Sequence, residues 1–110
     1  MITFTARMWA LAEAGLKTQT RRTWKRRRAI QGSVHQVRSP GQFGPIVGRI
    51  RVLRVWQQLL ADVTTDEARA EGFGSVAEFT EYLRGLHKLD PPDSDTPLWA
   101  VEFEVVKEQP

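Results

Sequence analysis

Charge is divided so unevenly along this 110-residue chain that the division itself constrains how it can fold. Residues 1–55 carry twelve cations against a single acidic residue, Glu13, whereas residues 56–110 carry four cations against twelve acidic residues. The length predicts one domain, residues 1–107 with 108–110 as a tail, because a chain this short does not build two independent cores. The two halves must then share a core, and a basic layer meets an acidic one. Part of the asymmetry is expected to be intramolecular pairing, which stabilises little where it is exposed. The remainder points to an anion site. Six cations fall within Arg21 to Arg28, interrupted only by Thr23 and Trp24, and such density repels itself unless it is solvated or matched by phosphates.

An apolar fraction of 41% and a charged fraction of 26% are ordinary globular values, so disorder, collagen and simple coiled coil are poor readings. The chain has no cysteine, which removes disulfides, thiolate metal sites and cysteine nucleophiles. His35 and His87 lie far apart with no ligand-like spacing, so no metal is implied, and no motif implies an organic cofactor. No run approaches the roughly 20 apolar residues of a membrane-spanning helix, and Met1 to Ala14 lacks the pattern of a signal peptide. The expectation is a cytoplasmic protein without a membrane partner, and a monomer.

Ile2 and Phe4 alternate with Thr3 and Thr5 as in a short strand. A helix is predicted over Ala6 to Ala14, with Met8, Leu11 and Ala12 at helical spacing and Gly15 as a left-handed cap. Lys17 to Trp24 reads as extended or irregular, and Lys25 to Arg28 as a solvated loop. Ser33 to Arg38 is a candidate strand. Ile46 to Trp56 is a stronger one, with Ile50 and Val52 on one face and Arg49 and Arg51 on the other. Thr64-Thr65-Asp66-Glu67 has the form of a capping box, and Ser75-Val76-Ala77-Glu78 repeats it. The second of these helices places Phe79, Tyr82, Leu83 and Leu86 on a stripe read as core. Lys88 to Pro97 is a loop, and Trp99, Val101, Phe103 and Val105 form one face of a half-exposed strand. Without a regular β-α-β alternation, an α+β domain with a small antiparallel, barrel-like sheet fits best.

Gly15-Leu16-Lys17-Thr18-Gln19-Thr20-Arg21-Arg22 reads as G-x-K-T-x-T-x-R after a helix, and here the chain resembles the ASCH family of the PUA-like superfamily. Ile2-Thr3-Phe4, Ala70-Glu71-Gly72-Phe73 and Val101-Glu102-Phe103 also resemble family positions, in the right order. The resemblance implies a small PUA-like mixed or antiparallel β-barrel with flanking helices, and a cleft lined by the G-x-K-x-x-T-x-R segment. It also implies association with RNA. One bacterial subgroup of similar size consists of acetylcytidine amidohydrolases, whose assigned chemistry uses a lysine, a threonine and a glutamate. The first two map to Lys17 and Thr20, and the third, with a one-residue shift, to Glu71.

The residues bear that chemistry on their own terms. A threonine hydroxyl is a poor nucleophile until a base takes its proton. A lysine becomes such a base when nearby cations and burial lower its pKa, and Arg21, Arg22 and the run beyond supply the cations. In a regular strand Lys17 and Thr20 would face opposite ways, so their convergence needs a turn after Gly15. The alternative is that Lys17 and Arg22 only bind phosphate while Thr20 packs or caps.

The chain departs from the amidohydrolases at Thr23-Trp24-Lys25-Arg26-Arg27-Arg28, where they carry a more acidic and polar stretch. Arg21, Arg22, Trp24, Lys25, Arg26, Arg27 and Arg28 together suit a longer anionic ligand, because guanidinium forks match phosphate oxygens and an indole stacks on a base. Trp24 read as core is the alternative, and core is the preferred reading for Trp9, Trp56 and Trp99. His35 either lines the cleft or simply occupies a strand. The expected partner is therefore RNA or a nucleoside or nucleotide derived from it. Three activities stay open: hydrolysis of an acylated cytidine amide by Lys17, Thr20 and Glu71, ribonuclease cleavage, or binding without catalysis.

Overall fold

The computed structural model describes residues 1–107, and the expected tail, 108–110, lies outside them. The first strand, β1 (Ile2–Thr3), buries Ile2 and leads into α1 (Ala6–Glu13). Thr5 caps α1 by accepting from the Met8 amide at 3.2 Å, which satisfies one of the orphan donors of the first turn. The helix buries Met8, Trp9 and Ala12 and ends at Gly15, whose φ of 76° lets the chain reverse at little steric cost. The amides of Leu16 and Lys17 then both turn back to the Leu11 carbonyl, at 2.9 and 3.1 Å. This reversal precedes β2 (Gln19–Arg22).

Next come β3 (Val34–Arg38), β4 (Ile46–Leu59), a 3-10 turn (Leu60–Asp62), α2 (Thr65–Ala70), α3 (Val76–Leu86) and β5 (Pro97–Val105). The sheet order is β1-β3-β4-β5-β2, with β1 parallel to β3 and the other neighbours antiparallel. The result is an α+β half-barrel of five strands with three helices, the mixed PUA-like arrangement. No backbone ladder joins β1 to β2. Arg22 instead reaches across, its Nη2 donating to the Thr3 carbonyl at 2.9 Å.

The main core gathers Ile2, Phe4, Met8 and Trp9 from the N-terminal half with Phe79, Leu83, Leu98 and Phe103 from the C-terminal half, so both halves contribute. Phe4 sits at its centre, 6.1 Å from Trp9 and 5.7 Å from Phe103 between ring centroids. Trp9 also fixes a close approach to β4. A Cβ on Gly48 would lie 2.8 Å from the Trp9 ring, so Gly48→Ala is expected to displace the indole and cost about 1–3 kcal/mol in denaturant unfolding.

Two sequence expectations need correction here. The first concerns β5, which is not half-exposed along its length: Leu98, Ala100, Val101 and Phe103 are all buried. Leu98 joins the main core, whereas Val101 packs with Val52 and Ala29 in a second, smaller cluster against which Trp24 and Val55 lie. The loop after β2 therefore covers one face of β5, and an inner strand flanked by β4 and β2 is enclosed on both sides. The second concerns the tryptophans. Trp9 is core, but Trp56 and Trp99 are only half-buried. The Arg54 guanidinium lies over the Trp56 ring at 4.0 Å, and this cation takes the place of apolar neighbours.

The charge asymmetry resolves into two parts. Lys17, Arg21, Arg51 and Arg54, all from the basic half, pair with Glu71, Glu67, Glu104 and Glu102 of the acidic half. Lys25, Arg26, Arg27 and Arg28 are exposed, and among the described residues no ion pair holds any of them.

Candidate functional site

Lys17 lies between Gly15 and β2 rather than on the strand, so the period-2 rule that would send it away from Thr20 does not apply. The Thr18 amide bonds to the Ala70 carbonyl at 2.8 Å, docking this segment on the end of α2. The capping box predicted at Thr64 forms, with Thr64 Oγ1 accepting from the Glu67 amide and Glu67 Oε1 accepting from the Thr64 amide. The helix runs only to Ala70, and Glu71 is its C-cap, turned inward just before Gly72 at a φ of 101°. A short helix, started and stopped by local signals, thus delivers a carboxylate 54 residues away in sequence to Lys17.

Lys17, Thr20, Arg22 and Glu71 line one cavity of about 360 Å³. Lys17 Nζ donates to Glu71 Oε1 at 2.9 Å and to the Glu71 carbonyl at 2.8 Å. Both side chains are nearly sealed from solvent, 3% and 4% exposed. Thr20 Oγ1 accepts from Arg22 Nε at 3.1 Å, and the Arg22 guanidinium lies 5.3 Å from the Phe4 ring centroid. Aromatic and apolar side chains, Trp24, Tyr82, Phe79 and Leu86 among them, form the rest of the wall. An apolar cavity with a few convergent polar groups is the usual form of a small-molecule site.

Burial lowers Lys17 below the ordinary lysine value of 10.5, and the charges of Arg22 and Arg21 add to this, while the Glu71 charge and hydrogen bond pull it back up. Burial likewise lowers Arg22, against the opposing pull of Glu71 and Tyr82. A desolvated lysine hydrogen-bonded to a carboxylate can exchange a proton with it.

Of the residues grouped by sequence as phosphate contacts, Arg21, Arg22 and Trp24 line the cavity. Arg21 is held internally as well. Its side chain is 0% exposed and bonds to Glu67 Oε2 at 2.8 Å, Glu71 Oε2 at 3.1 Å and Gln58 Oε1 at 2.8 Å. Buried acceptors are matched to its fork, and none of it is offered to solvent phosphate. Lys25 to Arg28 do not line the cavity but leave its lip, directly after Thr23 and Trp24.

The α3 stripe read as core borders the cavity along its length. Phe79 and Leu83 are buried, but Tyr82 is half-buried and Leu86 is 55% exposed on the cavity rim. Helical periodicity marks one apolar face and cannot say that part of it faces a cavity. His87, just past α3, also lines the cavity. His35 does not: its Nε2 lies 2.9 Å from Ser33 Oγ on the rim of β3. Nothing in the local sequence of β4 singles out Gln58, whose amide also donates to Glu67 Oε1 at 2.9 Å. Among the described residues no group of three or more acidic or histidine side chains could hold a metal ion, and no helix is long and apolar enough to cross a membrane.

The fold has counterparts among solved structures. A protein from Enterococcus faecalis assigned to DUF984 superposes with a TM-score of 0.72 at 21% identity, over 91% of this chain and 67% of that one. The ASCH domain from Lactobacillus crispatus superposes with a TM-score of 0.68 at 20% identity, over 94% of this chain and 79% of that one. The fold is that of an ASCH domain. A hypothetical protein, PH0355, shares it with a TM-score of 0.70 at 16% identity, over 96% of each chain. No family model and no curated protein matches the sequence.

Proposed function

We propose that this ASCH-type domain binds an RNA-derived nucleoside or nucleotide in the cavity and hydrolyses the amide of an acylated cytidine there. The observation that carries the reading is the presence of Lys17, Thr20 and Glu71 around one cavity. Neutral Lys17 accepts the Thr20 proton, and Thr20 Oγ1 adds to the amide carbonyl carbon to give a tetrahedral intermediate. Arg22 Nε, already on that oxygen at 3.1 Å, favours its developing negative charge. The proton gained by Lys17 passes along its 2.9 Å contact to Glu71 and on to the departing cytidine nitrogen, as the C–N bond breaks and an acyl-threonine forms. Water, giving a proton to Glu71, then adds to that ester. Its collapse releases the carboxylic acid and returns a proton to Thr20. Trp24 and Tyr82 supply aromatic faces for the base.

The test is to incubate the purified protein with acetylcytidine and to look for cytidine and acetate by chromatography and mass spectrometry. Release by the wild type and not by Thr20→Ala is the expected result, and no release from the wild type would remove the hydrolase.

A second reading, RNA binding with or without cleavage, is favoured by the exposed, unpaired Lys25 to Arg28 at the cavity lip. Replacing Arg26, Arg27 and Arg28 by glutamine is expected to weaken binding of single-stranded RNA. The slope of log affinity against log salt should flatten by about 0.7 for each lost phosphate contact. An unchanged slope in filter-binding or anisotropy titrations would leave the run without a role in RNA binding.

A further inference from the structure

Every nitrogen of the buried Arg21 guanidinium meets a different acceptor. Nε meets Gln58 Oε1 from β4, Nη2 meets Glu67 Oε2 from α2, and Nη1 meets Glu71 Oε2 at the end of α2. The first two acceptors are themselves tied together, since Gln58 Nε2 donates to Glu67 Oε1 at 2.9 Å and to the Asp62 carbonyl at 3.2 Å. Glu71 therefore has one carboxylate oxygen on this clamp and the other on Lys17 at 2.9 Å, and its rotation about the final torsion is stopped at both ends. We propose that Arg21, held by Gln58 and Glu67, is a positioning residue that fixes the Glu71 carboxylate against Lys17 and controls the protonation of that lysine. The proposal rests on the reading of Lys17 as the base.

The charges that face Lys17 give the proposal a sign. Glu71 raises its pKa, and Arg22 and Arg21 from β2 lower it. Tyr82 and His87 border the same cavity from the α3 side. Arg21 acts twice in one direction, as a like charge near Lys17 and as a competitor for the charge of Glu71. Glu67 acts through Arg21. Burial pushes the Glu67 carboxyl up, but the Thr64 amide, the Gln58 amide and the Arg21 charge together outweigh this and hold it below its ordinary value, so it is ionised at neutral pH and partly neutralises Arg21. Removing Arg21 should therefore raise the titration midpoint of Lys17. Removing only the charge of Glu67 should lower it.

Four lysines, Lys17, Lys25, Lys88 and Lys107, make this measurable by nuclear magnetic resonance of protein carrying ¹³C-labelled lysine, with the Lys17 Cε signal assigned by its loss in Lys17→Arg. The expected results are a midpoint raised by about one pH unit in Arg21→Gln and lowered by a fraction of a unit in Glu67→Gln. Midpoints unchanged in both variants, or an upward shift in Glu67→Gln, would overturn the proposal. If Arg21→Gln does not fold, Glu67→Gln decides alone, because it removes the charge and keeps one acceptor oxygen, enough for Arg21 or for the capping box though not for both. The titration uses no substrate, so failure to hydrolyse acetylcytidine would count against the hydrolase and leave this result standing. In protein that does turn over, the acidic limb of the pH–rate profile should move with the Lys17 midpoint, and a limb that stays put would overturn the link to catalysis.

Discussion

Lys17→Met is expected to lower the turnover of acetylcytidine by about 10²–10⁴-fold, the usual range for removing a general base. Methionine preserves the apolar stem that lies beneath the amine, whose Nζ sits 5.9 Å from the Phe4 ring centroid, so the loss reports on the amine and not on packing. KM should change little, because the walls that hold the base, Trp24 and Tyr82, are untouched. The wild-type rate should also depend on pH with a definite sign. Lysine accepts a proton only when neutral, so turnover rises as pH rises towards its pKa and levels off above it. Burial, the leading effect on Lys17, brings that plateau below the ordinary lysine value of 10.5. Steady-state kinetics of the two proteins across pH checks all three statements. Equal turnover by Lys17→Met would remove Lys17 from the chemistry.

Glu71→Ala is expected to destabilise the protein by about 3–5 kcal/mol, the range found when one partner of a buried ion pair is removed. Glu71 is 3% exposed and accepts from two cations, Lys17 and Arg21, whose side chains are 3% and 0% exposed. Without it, Lys17 keeps only a backbone carbonyl that moves with the shortened residue, and Arg21 keeps Glu67 and Gln58. The buried Lys17 charge is then the largest uncompensated cost. The double variant Lys17→Met/Glu71→Ala should recover part of the loss, because it removes that charge rather than stranding it. Urea unfolding of the single and double variants measures the coupling. If Glu71→Ala costs less than about 1 kcal/mol, the pair is not the structural tie the geometry indicates.

These two variants touch the same few atoms yet probe different links, proton transfer in one and charge compensation in the other. They also separate the hydrolase from a domain that only binds RNA. In a binding module Glu71→Ala would still destabilise, while Lys17→Met would leave affinity carried by Lys25 to Arg28 largely intact.

Local signals in the chain were enough for the helix starts at Thr64 and Ser75, for the reversal at Gly15 and for the outward arginines of β4, because caps, glycine conformations and strand alternation act over a few residues. The resemblance carried by the G-x-K-T-x-T-x-R segment implied where the cavity would be, and Lys17 and Thr20 both line it. The charge asymmetry announced that cations and acids would meet, but not which ones. That choice belongs to the tertiary structure. Arg21 and Arg22 are adjacent in sequence and both border the cavity, yet the Arg21 fork meets Gln58, Glu67 and Glu71 while Arg22 meets Thr20 and the Thr3 carbonyl, since successive residues of a strand face opposite ways and only packing determines what each face meets. The α3 stripe makes a similar point, since Phe79 and Leu83 are core residues that also border the cavity with Tyr82 and Leu86. Gln58 carried no local signal at all, because its role depends on a β4 backbone that meets α2 and β2 only once the sheet is assembled. Periodicity along a chain reports which residues share a face. Which face encloses a ligand depends on contacts between elements distant in sequence, and only the folded sheet and its helices supply them.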